Sequence, residues 1–163
     1  MNLKKIFFNS VLILVIFFVD RISKIYIVKI STLESKVDIY LTEYVNFYLI
    51  WNKGIAFGLF SFNESFIYNL ITGIIIIISI IILIMIYKNS GFKKISLIFV
   101  LGGALGNLFD RIYYSAVPDF IDLHFNDFHW FVFNVADIFI TLGIICLIFD
   151  EIFVNNKKNE KFI

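Results

Sequence analysis

The sequence predicts an all-α polytopic membrane protein: four transmembrane helices, a small external β-rich segment and a short amphipathic helix on the surface. Three observations carry this prediction. Of 163 residues, 60% are hydrophobic and 17% charged, with a mean hydropathy of +0.90, against roughly 45–50% apolar residues in ordinary soluble domains. Four segments, about 6–28, 66–87, 95–114 and 130–154, each supply the ~20 mostly apolar helical residues that cross a bilayer core of ~30 Å. The lysines outside these segments also favour one side of such an arrangement, as cytoplasmic flanks do.

The first span begins with Lys4, Lys5 and IFFNSVLILVIFFV, which imitates a secretory signal peptide. No small-residue cleavage site follows, and the run continues through Asp20, Arg21, Lys24 and IYIV. An uncleaved first helix is therefore expected. Residues 29–65 are too long for a simple turn and alternate in VNFYLIWNKG, which predicts short strands. A small amphipathic piece lying on the surface is expected around SFNESF. The second span, NLITGIIIIISIIILIMIY, is apolar all round and without charge, as a largely lipid-facing helix would be. The third contains LGGALGNLFDR, and the fourth begins with FNVADIFITLG. No repeat or Pro-rich linker divides the chain, so residues 1–163 are read as one domain.

With the N-terminus inside, Lys4, Lys5, Lys88, Lys93, Lys94, Lys157, Lys158 and Lys161 fall in the cytoplasm. The outer loops then hold only Lys29, Lys36 and Lys53 as cations, beside Glu34, Asp38, Glu43, Glu64, Asp119, Asp122 and Asp127. Both termini are expected to be cytoplasmic. The alternating helix directions bring Asp20, Lys24, Asn107, Asp110, Arg111, Asn134 and Asp137 to one depth near the outer face, with Asn52 and Asp119 arriving from external loops. A net charge of +1 without a basic patch excludes a general attraction to nucleic acid. The single Cys146, within an apolar run, forms no internal disulfide and reads as packing.

Ionisable groups inside a span cost from ~2.5 to more than 10 kcal/mol when unpaired, so they pair or line a wet cavity. Asp20 and Lys24 are i and i+4 with the acid first, the favourable order for a local ion pair, and a structural role is expected. Gly102, Gly103 and Gly106 allow close approach of another helix or an extended substrate. Packing alone does not explain Asn107 and Arg111, which share a face, or Asp110 beside them. Arg111 carries five donors in a fixed fork, suited to holding Asp110 or to binding peptide carbonyls and head-group oxygens. Asn134 and Asp137 lie one turn apart on the fourth span.

Two carboxylates sharing one site do not both ionise, so one keeps a proton while the other activates water. Asp137 needs such a partner, and two candidates stand level. Asp110 can reach from the third span but has a cation beside it. Asp119, in VPDFID, sits in an apolar loop stiffened by Pro118, the only proline of the chain, and able to fold back to the membrane surface. Asp20 and Asp122 stand behind them. His124 and His129 in HFNDFH, with Asp127 between, have an i, i+5 spacing that matches no standard zinc pattern. Interfacial loop residues are the expectation there, and no metal or cofactor is expected. Ser10, Ser23, Ser79 and Ser96 have no histidine within a span to activate them, which argues against an intramembrane serine protease. Trp51, Trp130, Tyr113 and Tyr114 suit an outer aromatic belt.

These blocks, in this order, resemble the lipoprotein signal peptidases, the type II signal peptidases of bacteria. Asp20 with Lys24, NKGIAFG with Asn52 and Gly54, GGALGNLFDR, VPDFID and FNVAD match across essentially the whole chain. The first motif is weak alone, while GNxxDR, VxDFID and FNxAD at these spacings are specific together. The resemblance implies an aspartic endopeptidase of the bacterial cytoplasmic (inner) membrane. It would remove signal peptides from prolipoproteins just before a cysteine that already carries a diacylglyceryl group, working at the outer face. It implies a catalytic pair of Asp119 and Asp137, thereby choosing Asp119 over Asp110. Asn52, Gly54, Asn107, Arg111 and Asn134 would contact substrate or support the pair, and Asp20, Lys24 and Asp110 would be structural. It also implies a metal-free reaction blocked by the cyclic peptide globomycin. Lys53 after Asn52 and Pro118 before Asp119 are local departures.

The expected partners are thus diacylglyceryl-modified prolipoproteins, membrane lipid and globomycin, with the chain acting as a monomer and with no nucleic acid. A small transporter or channel subunit is the main rival, but its polar path should run the full thickness, and the inner halves of these spans lack charge. A noncatalytic assembly protein, in which the polar layer only locks the helices together, is the second.

Overall fold

The computed structural model describes residues 3–34, 37–54, 64–126 and 128–155. Helix α1 (Leu3–Glu34) is followed by strands β1 (Asp38–Thr42) and β2 (Val45–Asn52). The antiparallel helices α2 (Glu64–Lys88) and α3 (Gly91–Tyr114) come next, then strands β3 (Val117–Phe125) and β4 (Phe128–Phe133) and helix α4 (Val135–Phe149), which continues as a π-helical segment over Asp150–Asn155. The fold is mostly helical with one small antiparallel sheet of order β1-β2-β3-β4.

Helix α3 is the centre and packs against α1, α2 and α4. Its glycines make this possible. A Cβ at Gly103 would collide with the backbone carbonyl of Ala136 on α4, and one at Gly102 would lie 2.8 Å from the Ile16 side chain on α1. Leu97, Ile98 and Leu101 then bury against Ile16, Ile82 and Ile86 of the flanking helices. Serine and threonine hydroxyls inside the bundle return to their own helix: Ser96 donates to the carbonyl of Phe92 at 3.0 Å and Ser79 to that of Ile75 at 2.8 Å, so neither is left unpaired in apolar surroundings. Helix α2 leaves Ile74, Ile76, Ile77, Ile78, Ile80 and Ile81 exposed, in keeping with the lipid-facing surface its charge-free sequence predicts.

A second, smaller core of Ile27, Val37 and Phe120 lies where the sheet meets α1. There the C-terminal part of α1 and the Phe120 face of β3 share apolar cover.

Several expectations change. Four crossings were predicted, and among the described residues two helices, Phe66–Lys88 and Gly91–Tyr114, are long and apolar enough to cross a membrane by length and composition. Residues 130–133, assigned to the start of the fourth span, belong to strand β4, and the helix begins at Val135. VPDFID is not a loop either: it opens strand β3, paired to β2 through Trp51 with Pro118 and Ile50 with Asp119. Between 29 and 65, strands β1 and β2 form as expected, whereas α1 persists to Glu34. Of the surface piece expected around SFNESF, residues 61–63 lie outside the described residues, and 64–66 belong to the start of α2.

Candidate active site

The polar residues collect where the C-terminal ends of α1 and α3, the start of α4 and strands β2 and β3 converge. Strand β3 carries Asp119, which is 4% exposed. Its two carboxylate oxygens each accept a side-chain amide: Asn52 Nδ2 donates to Oδ2 at 2.8 Å and Asn134 Nδ2 to Oδ1 at 2.6 Å. Helix α4 carries Asp137, which accepts Asn107 Nδ2 at 2.8 Å on Oδ1 and the backbone N–H of Asn134 at 3.1 Å on Oδ2.

Asn134 occupies the N-cap of α4, and its Oδ1 accepts the N–H of Asp137 at 3.1 Å. The pair forms a reciprocal capping box that satisfies a helical N–H otherwise left without a partner. Another N–H of the first helical turn, that of the buried Ala136, is taken at 2.9 Å by Asp20 Oδ1 from α1. Local helix-start chemistry therefore fixes where Asp137 stands, and the same Asn134 reaches across to Asp119.

Three asparagines surround the two acids, and each has its amide turned by a donor that cannot accept. Gly54 N–H donates to Asn52 Oδ1 at 2.7 Å, Lys24 Nζ to Asn107 Oδ1 at 2.8 Å, and Asp137 N–H to Asn134 Oδ1. With the carbonyl side of each amide occupied, the NH₂ faces a carboxylate. Gly54 holds its position with φ of +77°, and a Cβ there would come within 2.9 Å of the Arg111 guanidinium, so this turn requires glycine on two counts.

Burial pushes the Asp119 carboxyl up to about 6, opposed by the amide hydrogen bonds of Asn52 and Asn134 and assisted by the nearby charge of Asp137. Asp137 is only half-buried and forms part of the wall of an apolar cavity of about 490 Å³ with Phe131, Phe133, Ile138, Thr141 and Leu142. A buried carboxylate and a second one facing an apolar cavity, joined through the side chain and backbone of one asparagine, can hold one proton between them and activate a water molecule.

Below the pair lies an ion cluster. Lys24 Nζ lies 2.9 Å from Asp20 and 2.7 Å from Asp110, and Arg21 lies 2.5 Å from Asp110. The expected Asp20–Lys24 pair is present. Asp110, however, is held by Lys24 and Arg21 of α1, not by the adjacent Arg111. Neighbouring positions on a helix point about 100° apart, so Arg111 faces elsewhere. Its guanidinium sits 5.4 Å from the Tyr68 ring and beneath Gly54, with Nε and Nη1 buried and unpaired among the described residues. Arg21 escaped the sequence reading, though an arginine beside Asp20 within an apolar run was signal enough.

His124 and His129 do not stand in an irregular loop. They lie across from one another on the β3–β4 hairpin, whose turn includes Asn126 at φ of 53°, and both approach Asp122. Asp127, between them in the sequence, lies outside the described residues.

The family model described as signal peptidase (SPase) II matches residues 12–153. The lipoprotein signal peptidase of Pelagibacter ubique (strain HTCC1062) is 58% identical over 161 residues, covering 98% of this chain and 97% of that protein. That of Anaplasma phagocytophilum (strain HZ) is 38% identical over 161 residues, covering 96% and 99%. Among solved structures, a bacterial membrane enzyme determined by the in meso method at 2.3 Å resolution superimposes with a TM-score of 0.68 and 26% identity, over 93% of this chain and 90% of that one. Another, at 1.9 Å resolution, gives 0.70 and 25%, over 89% and 92%.

Proposed function

The chain belongs to the signal peptidase II family, membrane proteases that remove signal peptides from prolipoproteins, and we propose that Asp119 and Asp137 are the catalytic pair with which it does so. The observation that carries this reading is the Asn134 bridge, which bonds Asp119 through its side chain and Asp137 through its backbone.

In this mechanism Asp119, ionised above about pH 6, takes a proton from the attacking water. Asp137 holds the proton given to the scissile carbonyl oxygen, since two adjacent carboxylates do not both ionise. The water adds to the carbonyl carbon, the tetrahedral intermediate collapses, and the leaving amine receives a proton from the acid pair. No covalent enzyme intermediate forms. Arg111, with two buried donor atoms unpaired among the described residues, binds substrate carbonyls, while Asn52, Asn107 and Asn134 keep the carboxylates oriented and Gly54 holds the turn after Asn52. Asp20, Lys24 and Asp110 hold α1, α3 and α4 together.

The protein is an integral membrane protein. In this reading α1 and α4 cross the membrane as well as α2 and α3, the whole chain is one protease domain, both termini are cytoplasmic and the acid pair lies at the outer face of the cytoplasmic membrane. Among the described residues Asp20, Arg21, Lys24, Asp110 and Asp119 gather their buried charge at one end of the bundle, with Asp150 alone buried toward the other, which supports this and gives no continuous polar path of the kind a transporter needs. The substrate is a prolipoprotein whose cysteine carries diacylglyceryl. Its signal helix enters from the bilayer, its cleavage segment lies extended beside Asp119, and its acyl chains stay in lipid. Cleavage by a monomer and inhibition by globomycin belong to the same reading. The experiment is cleavage of a diacylglyceryl-modified prolipoprotein by protein purified in detergent, with and without globomycin. Retained cleavage in an Asp119→Asn or Asp137→Asn protein would refute the assignment.

A further inference from the structure

We propose that Asp122, His124 and His129 form a binding site for a divalent transition ion of borderline softness, Zn²⁺ foremost, on the β3–β4 hairpin. One donor atom from each residue can be chosen so that all three lie within 4.8 Å of one another. The site is independent of the acid pair and does not rest on the reading of Asp119 and Asp137.

The hairpin brings the donors together. Asp122 and His124 are two apart on β3, so they share a face of the strand, and the pairing register shifts between them. His129 pairs with His124 across the turn, with ring centroids 5.1 Å apart and planes inclined by 25°. Both Nδ1 atoms approach the same carboxylate oxygen: His129 at 2.9 Å and His124 at 3.5 Å from Asp122 Oδ2. A tetrahedral zinc ion with bonds of about 2.0–2.1 Å separates its ligand atoms by roughly 3.3 Å, and these two spacings bracket that value.

Hydrogen bonding alone leaves the cluster unfinished. His129 occupies one lone pair of Asp122, yet Asp122 Oδ1 and His124 Nδ1 are buried without a hydrogen-bond partner among the described residues, a costly condition for two polar atoms. An ion among the three would satisfy His124 Nδ1, and Asp122 Oδ1 as well when both carboxylate oxygens coordinate it. Two imidazoles and one carboxylate favour Zn²⁺ and its neighbours over Mg²⁺ or Ca²⁺, which prefer oxygen alone. The His129 side chain is 58% exposed, so the ion has an entry path and a fourth position for water. Bound there, it would tie β3 to β4 three residues along the strand from Asp119.

The chain contains two histidines and one cysteine, so a site built on imidazole is readily assigned. Untagged protein in detergent is titrated with Zn²⁺ against a chromogenic chelator and with Co²⁺ by visible spectroscopy, and its unfolding midpoint is followed with and without Zn²⁺. The expected result is one Zn²⁺ per chain, a Co²⁺ spectrum of low coordination number, and a midpoint raised by Zn²⁺. Binding should weaken at least tenfold in each of His129→Ala and His124→Phe, with the Zn²⁺-dependent rise lost. The exposed His129 is the safer change for folding. Absence of stoichiometric binding, or binding unchanged when both histidines are replaced, overturns the site. So does a midpoint that drops in His129→Ala but ignores Zn²⁺ in both proteins, which would leave only an Asp122–His129 hydrogen bond.

Discussion

Lys24 donates to Asn107 Oδ1 at 2.8 Å, and this contact is what turns the Asn107 amide so that its NH₂ reaches Asp137, also at 2.8 Å. A cation in the ion cluster thereby sets the orientation of a donor to one member of the acid pair. The cluster and the pair are one network, running from Arg21 and Asp110 through Lys24 and Asn107 to Asp137 and then through Asn134 to Asp119.

Replacing Lys24 by Met should therefore cost more than an ion pair. Asp20 and Asp110, both fully buried, would keep only Arg21 as a counter-charge. Removal of one partner from a buried pair typically destabilises by about 3–5 kcal/mol. The unfolding midpoint in detergent should fall markedly, and the protein that remains folded should cleave slowly because the Asn107 amide is free to turn. An unchanged midpoint would contradict the network.

Cleavage should depend on pH with a limb set by Asp119. Its carboxyl titrates near 6, so below that value the base is protonated and kcat/KM should fall about tenfold per pH unit, as an apparent constant of the pair. Asn52→Ala removes a hydrogen bond that favours the carboxylate form, and the limb should move to higher pH. A limb that stays put in this variant would separate the pH dependence from Asp119.

The same group affects stability in the opposite sense. Between about pH 4 and 6 the folded chain binds more protons at Asp119 than the unfolded chain does, so this contribution to stability falls as pH rises through that window. Asp119→Asn should remove that part of the slope in unfolding measurements from pH 4 to 7, and an identical slope in both proteins would argue against a raised Asp119.

Gly103→Ala should act at a distance from the chemistry. The added methyl would meet the Ala136 carbonyl, forcing α3 and α4 apart beside Asp137. Overpacking of this kind typically costs about 1–3 kcal/mol, and cleavage should drop further than the loss of folded protein accounts for. Equal losses of both would mean that the close approach serves packing only.

The apolar runs made α2 and α3 legible to within a few residues, because length and hydropathy are strong signals. The start of α4 was not, since FHWFVF is as apolar as the helix after it. Hydropathy does not distinguish a strand from a helix in a short run. Pro118 suggested a loop, yet a proline near the start of a strand is tolerated, and VPDFID extends β3. For the site, the spacing of Asn134 and Asp137 identified a shared helix face. The partner of Asp110 was not readable, because Arg21 comes from another helix, and neither was the convergence of His124 and His129 on Asp122, which depends on strand pairing.

The central claim is that Asp119 and Asp137 act as a pair. Its most direct measurement is the cleavage rate of a diacylglyceryl-modified prolipoprotein by purified Asp119→Asn and Asp137→Asn proteins, each checked for folding by its unfolding transition. The account predicts folded proteins whose rates fall at least a thousandfold, with the double variant no slower than either single one, since the two acids share one step. Cleavage within tenfold of the parent rate in either folded variant would contradict it.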